Sequence, residues 1–305
     1  MTHSRKNSLI GSIFLALAAI IWGSSFVAQT TGAEHVGPFT FIAFRSLLGS
    51  VVLLPVIFAM DTVKKKARPD EYKKMTKSDY KYLLIGGSVC GVVLAAASCL
   101  QQLGIDGGTA PGMAAFITAL YILLVPIFSV FLGKKIRPVI WACVGVSIVA
   151  LYLLCVKDSG KVQGSDFYVL ACAVCYAIHI LVIDKVSPRL DGVRLSALQF
   201  FIAGVLASIP MLISEDVTFE ALKAAAPSIA YSGIMSSGVA YTLQILGQQK
   251  TEPTIATMIM SLESVFGVLT AMVVLSQVPS ARETLGCILM FAAIIVAQLP
   301  EKKKV

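Results

Sequence analysis

The chain is 305 residues long, with 57% of them in the AVILMFWYC set and 14% charged, against about 25% charged in an ordinary soluble domain. So few charges, gathered between apolar runs, cannot cover the surface of a water-soluble globule, which excludes that class and makes hydrocarbon the solvent for most of the chain. The formal net charge of +8 sits in short links rather than on a folded basic face, so it implies no nucleic-acid partner.

Ten runs of about 20 apolar residues are each long enough to cross a hydrocarbon core of about 30 Å as a helix. They fall at 9–30, 38–60, 80–101, 109–132, 137–156, 165–184, 193–214, 227–247, 253–276 and 280–299. The first follows Arg5-Lys6, is longer than a signal-peptide core and shows no small-x-small cleavage site, so it reads as a retained membrane helix. The longest link, from Asp61 to Asp79, is lysine-rich and too short for a domain. Cys90, Cys99, Cys143, Cys155, Cys172, Cys175 and Cys287 all lie in apolar runs, where cysteine acts as a small hydrophobe, so no disulfide framework is implied. Cys172 and Cys175 form a CxxC without a second ligand pair, and no metal site is assigned to them.

Lys and Arg are retained on the cytoplasmic side during insertion. Twenty fall at the N-terminus, in the even-numbered links and at the C-terminus (Arg5, Lys6; Lys64 to Lys81; Lys134, Lys135, Arg137; Lys185, Arg189, Arg194; Lys250; Lys302 to Lys304). Four fall in the odd-numbered links: Lys157, Lys161, Lys223 and Arg282. Arg45 lies inside the second run. The bias places both termini in the cytoplasm, which agrees with an even number of spans.

The chain also repeats itself. Leu100-Gln101-Gln102-Leu103-Gly104 returns as Leu243-Gln244-Ile245-Leu246-Gly247 at an offset of 143, and Thr109-Ala110-Pro111 as Thr251-Glu252-Pro253 at 142. Before the long lysine-rich link the offset is 154, pairing Trp22 with Tyr176, Ser25 with His179 and Arg45 with Gln199. The unit is five helices used twice, 1–157 and 158–305. Because five is odd, the second copy enters the membrane from the other side, which gives the inverted repeat from which secondary transporters are built. The expected fold class is therefore an all-α integral membrane protein of ten transmembrane helices in two inverted five-helix repeats.

Trp22-Gly23-Ser24-Ser25-Phe26, Phe44-Arg45, the Pro126 region ending in Leu132-Gly133-Lys134, and Ser261-Leu262-Glu263 resemble the EamA repeats of the drug/metabolite transporter superfamily. The resemblance covers essentially the whole chain in two copies. It departs from the family pattern at Ser264, where proline often follows the glutamate, and at Lys134-Lys135, where an acidic residue is common. The resemblance implies a ten-helix exporter of small metabolites such as amino acids, with a central cavity between the halves.

The polar residues point to the same place. Trp22, Ser25 and Gln29 share one helical face, as do their mates Tyr176 and His179. Such a stripe faces either a cavity or a neighbouring helix to which it hydrogen-bonds, and for Ser24 and Ser25 taken singly packing is the expected role. Glu263 falls near the midplane, where a bare carboxylate costs several kcal/mol unless paired, hydrated or protonated. It is a candidate proton carrier or substrate counter-ion, or else a carboxyl held by nearby hydroxyls such as Ser261 and Ser264; its mate at an offset of 142 is Tyr121. Arg45 could snorkel to the outer headgroups, pair with Glu263, or meet a substrate carboxylate. His179 reads as a titrating group or a neutral hydrogen-bonding one, and Asp184 as a solvated charge. Gly87 and Gly91 form a GxxxG expected to pack within the monomer.

No GxxxxGK[ST] phosphate loop, HExxH or GxSxG occurs, so ATP-driven transport by this chain alone is excluded, and no catalytic residue, metal or cofactor is assigned. The expected function is secondary transport by alternating access around Trp22, Gln29, Arg45, Tyr121, Tyr176, His179, Gln199, Gln244 and Glu263, with Glu263 as proton-coupling candidate. The expected partners are a small-molecule substrate, the lipid bilayer and protons, and the expected assembly is a monomer or weak homodimer in the cell membrane. The alternatives are a membrane-embedded enzyme and a non-transporting assembly factor. Tags at both termini and in the link after Asp61 are expected to be cytoplasmic and tags at Gly107 and Glu215 external, as checked by impermeant-reagent accessibility; an external C-terminus would break both the span count and the repeat.

Overall fold

A computed structural model describes residues 3–67, 75–109, 111–156, 163–275 and 280–299. The expected repeat boundary at 157/158, Ala110, and the link or terminal cations Arg68, Lys73, Lys74, Lys157, Lys161 and Lys302 to Lys304 lie outside the described residues. The fold is all-α. Its helices are α1 (His3–Ala33), α2 (Pro38–Ala67), α3 (Lys77–Asp106), α4 (Pro111–Thr118), α5 (Tyr121–Phe131), α6 (Pro138–Cys155), α7 (Asp166–Val186), α8 (Gly192–Ser214), α9 (Phe219–Tyr231), α10 (Tyr241–Gln248), α11 (Pro253–Met260), α12 (Leu262–Leu275) and α13 (Ala281–Gln298). The lysine-rich link is partly helical, since α2 continues to Ala67 and α3 starts at Lys77 behind a Thr76–Asp79 capping box.

Nine segments among the described residues are long and apolar enough to cross a membrane. The tenth crossing is the path from α9 to α10, which a π-helix over Ser232–Ala240 interrupts. It begins at Phe219, earlier than the expected 227, because Thr218 caps it by accepting from Ala221 N and its first turns carry Glu220 and Lys223, which hide them from an apolar-run count. The fourth and ninth spans are also divided, at matching places. Leu120 and Ser261 both have ψ of −10°, and 3₁₀-type bonds tighten the chain there: Ile122 N to Ala119 O at 3.0 Å and Ser264 N to Ser261 O at 3.3 Å. The second break forms with Ser264 where the family often has proline.

The helix packing follows the two-fold relation between the halves. α2 packs on its mate α8, and α6 on its mate α13. The contact of α1 with α11 and α12 is mirrored by that of α7 with α4 and α5, and the contact of α3 with α7 and α8 by that of the α9–α10 path with α1 and α2. Each third span thus packs on the first two spans of the other repeat. At one end of the α2–α8 pair Arg194 pairs with Asp61, and Lys64 with Asp191 at 3.3 Å. At the other, the Glu215 carboxylate accepts from Phe39 N at 2.8 Å, Thr40 N at 2.7 Å and Thr40 Oγ1 at 2.6 Å, which satisfies the free N–H groups starting α2.

The expected GxxxG packs inside the monomer. A Cβ on Gly91 would stand 2.6 Å from Ile202 Cβ and 2.8 Å from Gln199 O, and one on Gly87 2.5 Å from Leu198 Cδ2; hydrogen in place of a methyl therefore sets how closely α3 approaches α8. Gly91→Val is expected to destabilise the protein by about 1–3 kcal/mol through overpacking, whereas Gly145→Ala, which meets nothing within 4 Å, should not. Thermal denaturation of both variants in the same detergent checks this.

Candidate functional site: a polar cavity on the repeat axis

A small cavity, with about 60 Å³ of room for water-sized molecules, lies between the helices. Its wall is built largely from repeat mates. Trp22 and Tyr176, Gln101 and Gln244, Thr118 and Met260, and Tyr121 and Glu263 all line it, so it straddles the pseudo-two-fold axis. Tyr121 Oη donates to Glu263 Oε1 at 3.3 Å across that axis. Each of these two residues follows the tightened turn of its divided span, which brings it to the centre.

The glycine of Trp22-Gly23-Ser24 holds the other side of Glu263. A Cβ on Gly23 would lie 2.6 Å from Glu263 O and 2.7 Å from Gly267 N, so the α1 backbone rests directly on that of α12. Ser25 Oγ donates to Ile21 O at 2.8 Å within its own helix, and Ser24 Oγ is bonded to Ile21 O and to the Tyr231 hydroxyl, in keeping with the packing role. Ser261 Oγ donates to Thr257 O at 2.8 Å and Ser264 Oγ is buried without a partner, so neither hydroxyl locks the Glu263 carboxyl.

Arg45 is only 3% exposed and lines the cavity, which removes the snorkelling alternative. Its Nη1 donates to Gln29 Oε1 at 3.1 Å rather than to Glu263, and its Nε is buried without a partner. Glu263 is 7% exposed, with the Tyr121 phenol as its donor. The cavity thus carries a guanidinium and a carboxyl that each hold a neutral partner and are not spent on one another.

Seven of the nine expected residues, Trp22, Gln29, Arg45, Tyr121, Tyr176, Gln244 and Glu263, line this cavity. His179 and Gln199 do not. Both are wholly buried, His179 Nε2 and Gln199 Oε1 stand 3.1 Å apart, and the His179 ring lies 6.2 Å from that of Tyr241. They form a polar pair behind the wall. Asp184, expected as a solvated charge, also accepts from Lys134 Nζ at 2.6 Å; a pair this exposed contributes about 0–1 kcal/mol.

Gln101, Thr118, Ile180, Ser236, Tyr241 and Met260 complete the wall without having been expected there. Tyr241 packs edge-on against Trp22 at 4.9 Å and Phe200 at 5.0 Å, and its hydroxyl donates to Tyr176 Oη at 3.4 Å. The repeat carried a signal for it. At an offset of 143 its mate is Ser98, which lies 3.5 Å from Tyr176 Oη, so Trp22–Tyr241 and Tyr176–Ser98 are images of one contact. Thr118 accepts from Gln101 Nε2 at 3.1 Å and is likewise the mate of Met260.

Residues 9–156 and 163–298 each match the EamA-like transporter family. The chain belongs to this family. It is 27% identical over 297 residues to an uncharacterized transporter of Archaeoglobus fulgidus, covering 95% of this chain and 86% of the relative. It is 23% identical over 305 residues to the uncharacterized transporter YwfM of Bacillus subtilis, covering 97% and 96%. A protein of known crystal structure has the same fold, with a TM-score of 0.75 at 17% identity and coverage of 94% of this chain and 96% of that one. Family, relatives and apolar helices together make this EamA protein a multi-pass membrane transporter.

Replacing Gln29 with Leu should leave the Arg45 guanidinium without its acceptor and cost about 1–3 kcal/mol. Adding Arg45→Met to Gln29→Leu removes the stranded charge and should recover part of that loss. Thermal denaturation of the two single variants and the double variant checks the coupling.

Proposed function

We propose that this cavity is the substrate site of a secondary transporter that exports small metabolites, amino acids among them, by alternating access. The observation that carries the reading is the unpaired placement of Arg45 and Glu263 in one cavity. A guanidinium with a free Nε suits a carboxylate, which it recognises by planar, bidentate hydrogen bonding. A carboxyl held by a single phenol suits an ammonium group or a proton. The rings of Trp22, Tyr176 and Tyr241 line the same cavity and supply apolar and cation–π surface. The resemblance to the drug/metabolite transporter superfamily supports export as the direction.

Glu263 is the coupling residue in this reading. Its carboxyl can be neutralised without stranding a counter-charge, because its donor is the Tyr121 phenol and Arg45 is satisfied in part by Gln29. Protonation in one orientation and release in the other would link substrate movement to the proton gradient. The cation distribution supports a plasma-membrane protein with both termini cytoplasmic, and the repeat spans 1–157 and 158–305 as the two inverted units. The occupation of the GxxxG face by α8 within the chain supports a monomer as the transporting unit.

The test is flux into proteoliposomes across amino acids, nucleosides and sugars, with protein incorporation quantified. Wild type is expected to show pH-dependent flux of a zwitterionic substrate. Glu263→Gln is expected to lose the pH dependence and substrate-driven proton movement while retaining substrate exchange. Equal flux of both proteins at every pH overturns coupling through Glu263, and the absence of flux for every substrate overturns the transport reading.

A further inference from the structure

A second and larger opening lies at the cation-rich end of the bundle, bordered by Lys134, Lys135, Asp184 and Lys250 and reaching inward to Gln248 and Thr254. Among the described residues it shares no lining residue with the central cavity. Between the two stands α10. Gln248 lines the outer opening, whereas Gln244, one turn earlier on the same face, and Ile180 of α7 line the cavity. These three are tied together: Gln244 Nε2 donates to Gln248 Oε1 at 3.0 Å, and Gln248 Nε2 donates to Ile180 O at 3.1 Å. Gln244 is 2% exposed and Gln248 3%, so the bonds are shielded from water.

The helix that carries this closure emerges from the π-helical segment Ser232–Ala240, where Tyr241 N donates to Ser236 O in i→i−5 fashion. A π-segment holds more residues per turn than an α-helix. Passing one residue between the two patterns turns the helix beyond it by about 100°, the angle per residue of an α-helix. Such a turn would carry Gln244 and Gln248 away from α7 together.

The segment is not saturated as it stands. Ser232 Oγ and Ser237 Oγ within it, and Gln244 Oε1 of α10, are buried without a partner among the described residues, and each costs free energy that a bonding pattern supplying a partner would recover. Gly233 and Gly238 lie within the segment, and α2 packs closely against it at Gly49, where a Cβ would stand 2.6 Å from Ser237 Cβ and 2.9 Å from Gly233 O.

We propose that α10 is the gate between the central cavity and the opening at the cation-rich end, that the bond from Gln248 Nε2 to Ile180 O, with Gln244 bracing Gln248 from within α10, is its latch, and that a shift of Ser232–Ala240 from π- toward α-helical bonding is the motion that releases it. Tyr241 couples the gate to the cavity. It is the first residue of α10 and packs on Trp22, so a molecule entering between them loads the gate directly. The proposal rests on the transporter reading, but its test needs no substrate, so the two fail separately.

The test uses the full chain in vesicles with the cation-rich face outward. A membrane-impermeant thiol reagent is applied, and modification is read by mass spectrometry at position 260 in Met260→Cys and at position 250 in Lys250→Cys. Position 250 should react equally fast whatever residue stands at 248, which also verifies folding and orientation. Position 260, in the cavity wall, should react slowly beside Gln248 and at least tenfold faster with Gln248→Ala. Gln248→Asn keeps the amide but shortens it by one methylene, and it serves as the milder variant with the same expected outcome. Equal rates at 260 with and without Gln248 overturn the latch. In the unmodified protein, backbone hydrogen exchange over 236–248 should run at least tenfold faster than over Ala281–Gln298; equal protection overturns the π-to-α motion.

Discussion

Two copies of a five-helix unit that enter the membrane from opposite sides must meet about an axis in the membrane plane, and any residue on that axis meets its own mate. The Tyr121–Glu263 hydrogen bond, across a sequence separation of 142, is that meeting. Hydrocarbon offers no partner to a carboxyl group, so the bundle must supply one. It does so by tightening the fourth and ninth spans at equivalent turns and by laying the α1 backbone over α12 at Gly23. The motif glycine beside Trp22 is thus explained by contact with the backbone of a residue 240 positions away, Glu263.

Symmetry builds the cavity, and departures from symmetry give it chemistry. Trp22 and Tyr176, or Gln101 and Gln244, repeat one another in kind across the axis. Arg45 does not. Its mate Gln199 stands outside the wall, turned to His179, while Arg45 faces the cavity with Gln29. The site therefore has one cationic end and a carboxyl elsewhere in its wall, which a symmetric pocket would not have. The same asymmetry separates the two third spans. α3 runs unbroken from Lys77 to Asp106, whereas its counterpart is interrupted at Ser232–Ala240. A bundle whose packing and divided fourth and ninth spans are two-fold thus carries its π-segment on one side only.

Buried polar groups divide into those with partners and those held in reserve. Asp61, Asp191 and Glu215 are committed to clamping the ends of α2 and α8, and His179 Nε2 and Gln199 Oε1 to one another, while His179 Nδ1 and Gln199 Nε2 have no partner among the described residues. Arg45 Nε and Gln244 Oε1, in the cavity wall, likewise have none. In a low-dielectric interior each unmade hydrogen bond is expensive, and such atoms occur both at the cavity wall and, as with Ser237 Oγ and His179 Nδ1, away from it.

Composition and run length were enough for the membrane and the number of crossings, because hydrocarbon requires about 20 apolar residues per helical crossing and forbids exposed backbone, and the recurring segments were enough for the inverted repeat. The offsets of 142, 143 and 154 also identified most of the cavity, since mates share depth and seven of nine expected residues line it. The rest was decided by tertiary structure. Whether a polar residue at the right depth faces the cavity or a neighbouring helix depends on how that helix is rotated, and its neighbours set the rotation; this separates His179 and Gln199 from Tyr176 and Gln244. Tyr241 entered through aromatic packing against Trp22 and Phe200, a contact between different spans that no local pattern carries. The π-segment was equally invisible, because Ser232-Gly233-Ile234-Met235-Ser236-Ser237-Gly238 is as apolar and small as any membrane helix, and only the fit of α2 against it at Gly49 shows how closely the two backbones meet.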